Sequence, residues 1–502
     1  MAEIVGLDFG TTNSLVSFVL GERATALTDK ANGDLPHPSV VWFQGTDVIV
    51  GRRAKAQLSA DDDGFAAGIV RSPKSYLGRG ESLIVAGVPR PASDVVAEVF
   101  GYLRADAAEQ GHDFDRAVVT IPVTLDGRGR RELRDAALQA GVRVVQFVHE
   151  PLAALYAYLR DQESFGRAFS QLHDKLVLVV DWGGGTLDLT LCRLSGDTLS
   201  QVANLGDRNI GGDRFDERLR NLVVKRHLEA HGVRSADVVP GADRTLIQRC
   251  EQTKIDLSEQ ASSTVFVKTY LRSDGPEQTL SVTVTRDDLE SLTRDLIDEG
   301  IGAVHQLLER VGRPPEAIEL CLATGGMVRM PRIRERLDEL FGIARVPRLP
   351  HADRIISEGA AWIARDKTRL SLAKPLELLH ADDSYVAVLP AGTGLPLENE
   401  TTHQNLGMYC VDPRDGYAKL HFARPEWPNR TQPFDKRLPY KTLLVGVDTS
   451  AKPLLERLEV EVSIDHDLVA ELSARSSLAG DMERTEVHDL EFGLRVGDGA
   501  HG

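Results

Sequence analysis

Three apolar strands of this chain each run into a glycine-threonine turn, and two of them carry an aspartate at the strand tip. The first is Ile4-Val5-Gly6-Leu7-Asp8-Phe9-Gly10-Thr11-Thr12-Asn13. The second is Leu176 to Val180 followed by Asp181-Trp182-Gly183-Gly184-Gly185-Thr186-Leu187-Asp188, and the third is Leu320 to Thr324 followed by Gly325-Gly326. Such a corner sets a carboxylate beside backbone N–H groups with no side chain in the way. The amides face an anion and the carboxylate faces a metal, which is the chemistry of holding a phosphate together with its magnesium. A single Gly-Gly after a strand more often marks a tight turn. Two corners that echo each other, with a third, point to a duplicated fold closing on one nucleotide from both sides.

The chain has 502 residues, too many for one core, so several domains are expected. A hydrophobic content of 42% with 27% charged residues is ordinary globular composition. The net charge of -16 argues against nonspecific nucleic-acid binding, which needs a basic face. No apolar run reaches membrane-spanning length, and the chain enters a strand at once without room for a signal peptide, so a cytoplasmic protein with no membrane partner is expected. The four cysteines, Cys192, Cys250, Cys321 and Cys410, lack paired spacing and read as small buried apolar residues in a reducing compartment.

The corners must be held by alternating strands and helices. Glu3 to Leu20 reads as a hairpin with the phosphate loop at its tip, and Gly33 to Val50 as a peripheral strand pair. Asp94 to Arg104 has helical apolar spacing; Arg116 to Val123 is a buried strand stopped by Pro122; Arg128 to Gly141 is a charged helix ending on glycine. Val142 to Val148 is a strand, and Glu150-Pro151 opens an alanine-rich helix. The pattern restarts at Lys175, with helices at Arg244 to Leu257, Pro331 to Phe341 and Ser357 to Ala364 and a strand at Ala317 to Thr324. After about Arg369 comes an apolar linker-like stretch. Seven alternating segments follow, from Tyr385 to Leu490, the signature of a β-sandwich.

These residues resemble the seventy-kilodalton heat-shock chaperone (DnaK) family. The resemblance rests on Gly6 to Ser14, Thr120-Ile121-Pro122-Val123, His149-Glu150-Pro151, Asp181 to Asp188, Asn209 to Asp216 and Ala323 to Pro331, in that order. It implies an α/β fold: a duplicated actin-like (ribonuclease H-like) two-lobed ATPase domain at 1–369. A linker at 370–384, a β-sandwich at 385–496 for substrate or partner, and a tail at 497–502 complete the division. Only a few residues follow the sandwich, so a lidless variant is expected.

The same resemblance assigns roles. Asp8, Asp181 and Asp188 would hold Mg²⁺ through waters; Gly10, Thr11, Thr12, Asn13, Gly183, Gly184, Gly185 and Thr186 would cradle the phosphates of ATP or ADP, with Gly211 and Gly212 as a further second-lobe contact. Glu150 would orient the attacking water, cap the helix at Pro151, or do both, and Lys74 would neutralise charge on the phosphoryl oxygens. Glu251, Lys254, Ile255 and Ser258 fall on one helix face and match adenosine contacts, as do Gly325, Gly326, Arg329 and Asp353. Arg329 would stack on adenine or pair with a surface acid. Pro122 and Arg130 resemble the relay to the second domain, and Leu376, Leu378 and Leu379 the docking linker.

Some positions depart from the pattern: Gln146 stands where the family often has the arginine bound by J-domain partners, and His149 where asparagine is common. Met408 and Tyr409 are candidates for a peptide cleft or for plain sandwich core. The leading expectation is an ATPase that switches a β-domain between modes of binding unfolded or extended peptides, with a J-domain co-chaperone and an exchange factor as further partners. A nucleotide-gated protein dedicated to one partner is the alternative.

Overall fold

The computed structural model describes residues 4–30, 35–58, 67–208, 210–233, 237–427, 432 and 435–496, without the side chains of 207 and 208. Glu3, Gly33, Asn209 and the tail 497–502, named above, lie outside the described residues. Two sheets carry the two lobes. In the first, the strands run Arg143–His149, Arg116–Ile121, Ile4–Phe9, Asn13–Leu20, Arg23–Leu27. In the second, Ile318–Thr324, Leu176–Trp182, Leu187–Ser195 and Thr198–Arg208 repeat the last four of these positions. Each lobe therefore pairs its acid-tipped strand in parallel with one neighbour and antiparallel with the other. Val5, Leu7 and Phe9 alternate into the core, leaving Asp8 to point the other way.

Helices Glu150–Arg160 and Ile355–Asp366 pack together across the first lobe, the former opening on Pro151. Helix Gly127–Gln139 begins where the Asp126 side chain accepts the Gly129 amide, 3.0 Å. Helix Arg286–Arg310 and the hairpin Ser262–Val267 with Leu280–Thr285 have no counterpart among the elements read from sequence. The helix is closed by a capping box between Thr285 and Asp288. No helix among the described residues is long and apolar enough to cross a membrane.

The C-terminal strands form two facing sheets. One orders Tyr385–Leu389, Leu376–Leu379, Tyr417–Pro425, Arg437–Gly446, and the other Thr402–Tyr409, Arg457–Ile464, Ala470–Ser476, Met482–Val487. Two features differ from the sequence expectation. Leu376 and Leu378, which resemble the docking linker, are interior residues of a sandwich strand, and the Glu377 between them pairs with buried Arg437 at 2.5 Å. Sheet pairing rather than docking covers that apolar run. Phe492–Arg495, expected in the sandwich, instead joins the second-lobe sheet between Thr198–Arg208 and Arg369–Leu372.

One apolar core runs from the first lobe through Leu370, Leu372 and Leu376 into the sandwich, while the second lobe has its own. All four cysteines are buried, as their spacing suggested. Met408 packs inward against the sandwich core and Tyr409 is exposed.

Candidate active site

Both acid corners open on one cleft between the lobes, about 790 Å³ in volume. Its lining takes Asp8, Gly10, Thr11, Thr12 and Asn13 from the first lobe and Asp181, Gly183, Gly184, Gly185, Thr186 and Asp188 from the second, with Lys74 and Glu150 beside them. The loops nearly touch: a Cβ built on Gly184 would stand 2.9 Å from the Thr12 side chain. The Gly183 amide closes its own turn on the Thr186 carbonyl, 2.9 Å. Gly211 and Gly212 do not line the cleft. They brace that turn from behind, the Gly212 amide donating to the Gly183 carbonyl at 3.2 Å, and a Cβ on Gly211 would overlap the Gly184 carbonyl.

Sheet register sets the acids. Asp8 lies level with Thr120 on its parallel neighbour, and Asp181 level with Thr324 on its own. Each threonine hydroxyl donates to its aspartate, Thr120 to Asp8 at 2.6 Å and Thr324 to Asp181 at 3.2 Å. Across the second hairpin Asp181 faces Asp188, which accepts from the Thr186 hydroxyl at 2.9 Å.

Lys74 sits on a 3₁₀ turn, Pro73–Tyr76, launched by Ser72 in the left-handed region at φ 53°. The turn sends its buried ammonium to Glu150 Oε1 at 2.5 Å, 5.8 Å from the centre of the Phe9 ring.

The carboxyls are crowded. Burial raises the Asp181 carboxyl well above the ordinary range, and the charges of Glu150, Asp188 and Asp8 raise it further. Burial also raises Glu150 and Asp8, with Lys74 opposing in both cases. Among the described residues no three such side chains converge to ligate a metal directly. The acids instead ring the cleft as an all-oxygen donor set, and a hydrated hard cation such as Mg²⁺ would offset the crowding. The residues fit that ion.

Further along the cleft, Glu251, Lys254, Ile255 and Ser258 line it from helix Ala242–Glu259, with Gly325, Gly326, Arg329 and Asp353 opposite. Lys254 is already engaged, donating to Asp216 at 2.8 Å and to the Gly212 carbonyl at 3.1 Å. Burial works against its ammonium, yet Asp216 and Glu251 hold it above the ordinary value, while burial pushes the Asp216 carboxyl up to about 7. Arg329 pairs with Glu259 at 2.9 Å, the plainer of its two sequence readings. Lys55, which sequence reasoning missed, reaches across the mouth to Glu251 at 2.7 Å. Thr120 and Thr324 were missed as well, although each stands at or next to the end of a strand inside a motif already singled out.

From the cleft, Pro122 and Thr124 lead into helix Gly127–Gln139. Its Arg130, 2% exposed, donates to the carbonyls of Asp467, Leu468 and His488 in the β-domain at 2.7, 3.1 and 3.0 Å. Arg134 pairs with Asp467 at 2.5 Å. Gln146 is buried and donates to the Thr368 carbonyl, 2.7 Å.

The family described as Hsp70 protein matches residues 4–83 and 85–373. The Chaperone protein DnaK of Halobacterium salinarum (strain ATCC 29341 / DSM 671 / R1) is 30% identical over 346 residues, 68% of this chain and 52% of that protein. The Chaperone protein DnaK of Thermosipho melanesiensis is 29% identical over 366 residues, 71% of this chain and 58% of that protein. That of Thermosipho africanus (strain TCF52B) is 29% identical over 486 residues, 94% of this chain and 77% of that protein. The chain thus spans little more than half the length of the first two relatives. With the duplicated lobes, the acid corners and the matched region together, the chain belongs to the Hsp70 protein family.

Proposed function

We propose that this protein is an ATP-hydrolysing chaperone of the DnaK type, in which the nucleotide held between the lobes controls what the β-sandwich binds. One observation carries the reading: two symmetry-related aspartates and a buried Lys74–Glu150 pair face a single cleft of nucleotide size. Mg²⁺, held through waters by Asp8, Asp181 and Asp188, would screen the phosphate oxygens and fix their geometry.

The chain's own groups do the rest. Thr11, Thr12, Asn13 and the Gly184–Thr186 segment bind the phosphates from both lobes. Lys74 meets the negative charge that develops on the phosphoryl oxygens, in a setting where a fixed cation counts for more than in water. Glu150, raised by burial, orients the water and accepts its proton nearer neutral pH than an ordinary carboxylate. Arg130 ties the floor of the cleft to the β-domain, so a shift at Pro122 reaches the sandwich through one helix. Unfolded or extended peptides are the proposed cargo, with a J-domain co-chaperone and an exchange factor as partners.

The burial of Gln146 under Thr368 favours a second reading, a nucleotide-gated protein dedicated to one partner. Co-purification of one stoichiometric protein rather than many clients would select it.

The test is single-turnover ATP hydrolysis by wild type and Lys74→Ala, with and without a model unfolded peptide. The substitution should lower the rate by about 10²–10³-fold, as loss of one charge-stabilising donor does, and leave ATP binding intact. Equal rates would remove Lys74 from the reaction, and a wild type that binds ATP without turnover would end the ATPase reading.

A further inference from the structure

The strand Phe492–Arg495 follows the sandwich strands in the chain yet is built into the second-lobe sheet of the motor. Its Leu494 and Arg495 pair with Leu199 and Thr198 of the second-lobe edge, and all four residues pair with Arg369–Leu372 on the other side. The seat is specific. A Cβ on Gly493 would lie 2.7 Å from the Leu199 carbonyl oxygen, closer than such atoms come, so the backbone approach needs glycine there. Arg495 pairs with Asp197 at 2.8 Å beyond the strand, and before it Glu491 pairs with Lys374 at 2.6 Å and Arg424 at 2.7 Å.

Its first side chain reaches toward the chemistry. The Phe492 ring is fully buried and stacks on His149, with centroids 4.0 Å apart and planes 16° from parallel. The Arg130 guanidinium lies 5.9 Å from the same ring. On its polar edge His149 Nδ1 meets the Gln201 amide nitrogen at 3.0 Å, so the imidazole is gripped between the second lobe and the inserted strand. The next residue is Glu150, whose carboxylate holds Lys74.

We propose that Phe492 is a positioning residue: the inserted strand fixes His149, and through it the Glu150 carboxylate, so the rate of hydrolysis depends on whether the β-domain's last strand is seated in the motor. This rests on the ATPase reading above. The effect falls on turnover and not on nucleotide affinity, because neither the strand nor His149 lines the nucleotide cleft.

Three full-length variants test it: Phe492→Ala, which removes the stack; Phe492→Leu, which keeps apolar bulk but not the flat ring; and Gly493→Val, which blocks the seat. Single-turnover rates should fall about tenfold in each, below the ~10²-fold that a 1 Å misplacement can produce, while ATP affinity stays within about twofold. Phe492→Leu, the mildest change to the core, decides the matter if either of the others fails to fold. Wild-type turnover in Phe492→Leu, or equal losses of turnover and ATP affinity in it, would overturn the proposal. A wild type without turnover in the same assay would instead sink the ATPase reading.

Discussion

At the first acid corner Asp8 faces Leu15 across its hairpin, accepts from Thr120 and lies within reach of the Lys74 charge. At the second corner Asp181 faces Asp188, accepts from Thr324 and feels the charges of Glu150 and Asp8. Backbone register is repeated to the residue, yet one copy is balanced by a cation and the other is loaded with anions. Duplication supplies the scaffold, and the chemistry lives in the few places where the copies differ. An unbalanced anionic corner is where a divalent ion gains most, so the second lobe should carry the metal and the first the cation that faces the phosphoryl group.

The sharpest way to break this comparison is to neutralise each aspartate. Asp181→Asn should lower turnover by about 10²-fold and raise the Mg²⁺ needed for half-maximal rate, with Asp8→Asn affected several-fold less. Equal penalties would show the corners to be functionally alike. The same substitution has a second readout. A carboxyl raised above its unfolded value takes up a proton on folding, so its contribution to stability is present below about pH 3.8 and is lost as pH rises through its folded pKa. Toward neutral pH that contribution is therefore lost, and the crowded carboxyl weighs against the fold. Asp181→Asn should raise its unfolding free energy by about 1–2 kcal/mol, measured by denaturant titration. A destabilised variant would contradict the crowding.

A finer probe compares Thr324→Val with Thr120→Val. A hydrogen bond to a charged group contributes about 1.5–3 kcal/mol, so either change matters. Asp8 keeps Lys74 after losing its hydroxyl, whereas Asp181 loses the neutral Thr324 donor among repelling charges. Thr324→Val should shift the Mg²⁺ titration about tenfold, and Thr120→Val less, despite the shorter bond. The reverse order would show that bond length outweighs charge balance. The smallest effect is expected at the mouth. Lys55→Ala removes a part-exposed ion pair of about 0–1 kcal/mol between the lobes, so fluorescent nucleotide should leave up to about fivefold faster in stopped-flow measurements. No change would mean that the bridge does not hold the lobes together.

Much of this was legible in the sequence because the informative residues are local. Strand, aspartate and glycine turn follow one another within ten positions, and Asp8, Asp181 and the glycines beside them line the cleft as that pattern implied. Helix Pro331–Phe341 begins at its proline, as read. What stayed hidden depends on distant partners. Nothing near Thr120 or Lys55 marks them as neighbours of Asp8 and Glu251, since register and lobe packing create those contacts. The Thr285–Asp288 capping box was a visible signal for helix Arg286–Arg310 that went unused. The leucines at Leu376 and Leu378 misled because an apolar run covered by a second sheet looks the same as one covered by a docked domain.

Arg495 and Asp197, paired beside the inserted strand, are 298 positions apart in the chain. At a translation speed of ~5–20 residues per second, the edge at Thr198 and Leu199 waits roughly 15–60 s for the segment that covers it. Through that interval a nascent sheet offers unpaired backbone to any extended polypeptide nearby, the hazard that open edges bring. A protein of a chaperone family thus passes through its own vulnerable stage on the ribosome, and slower translation between the two halves of this sheet should lower its soluble yield.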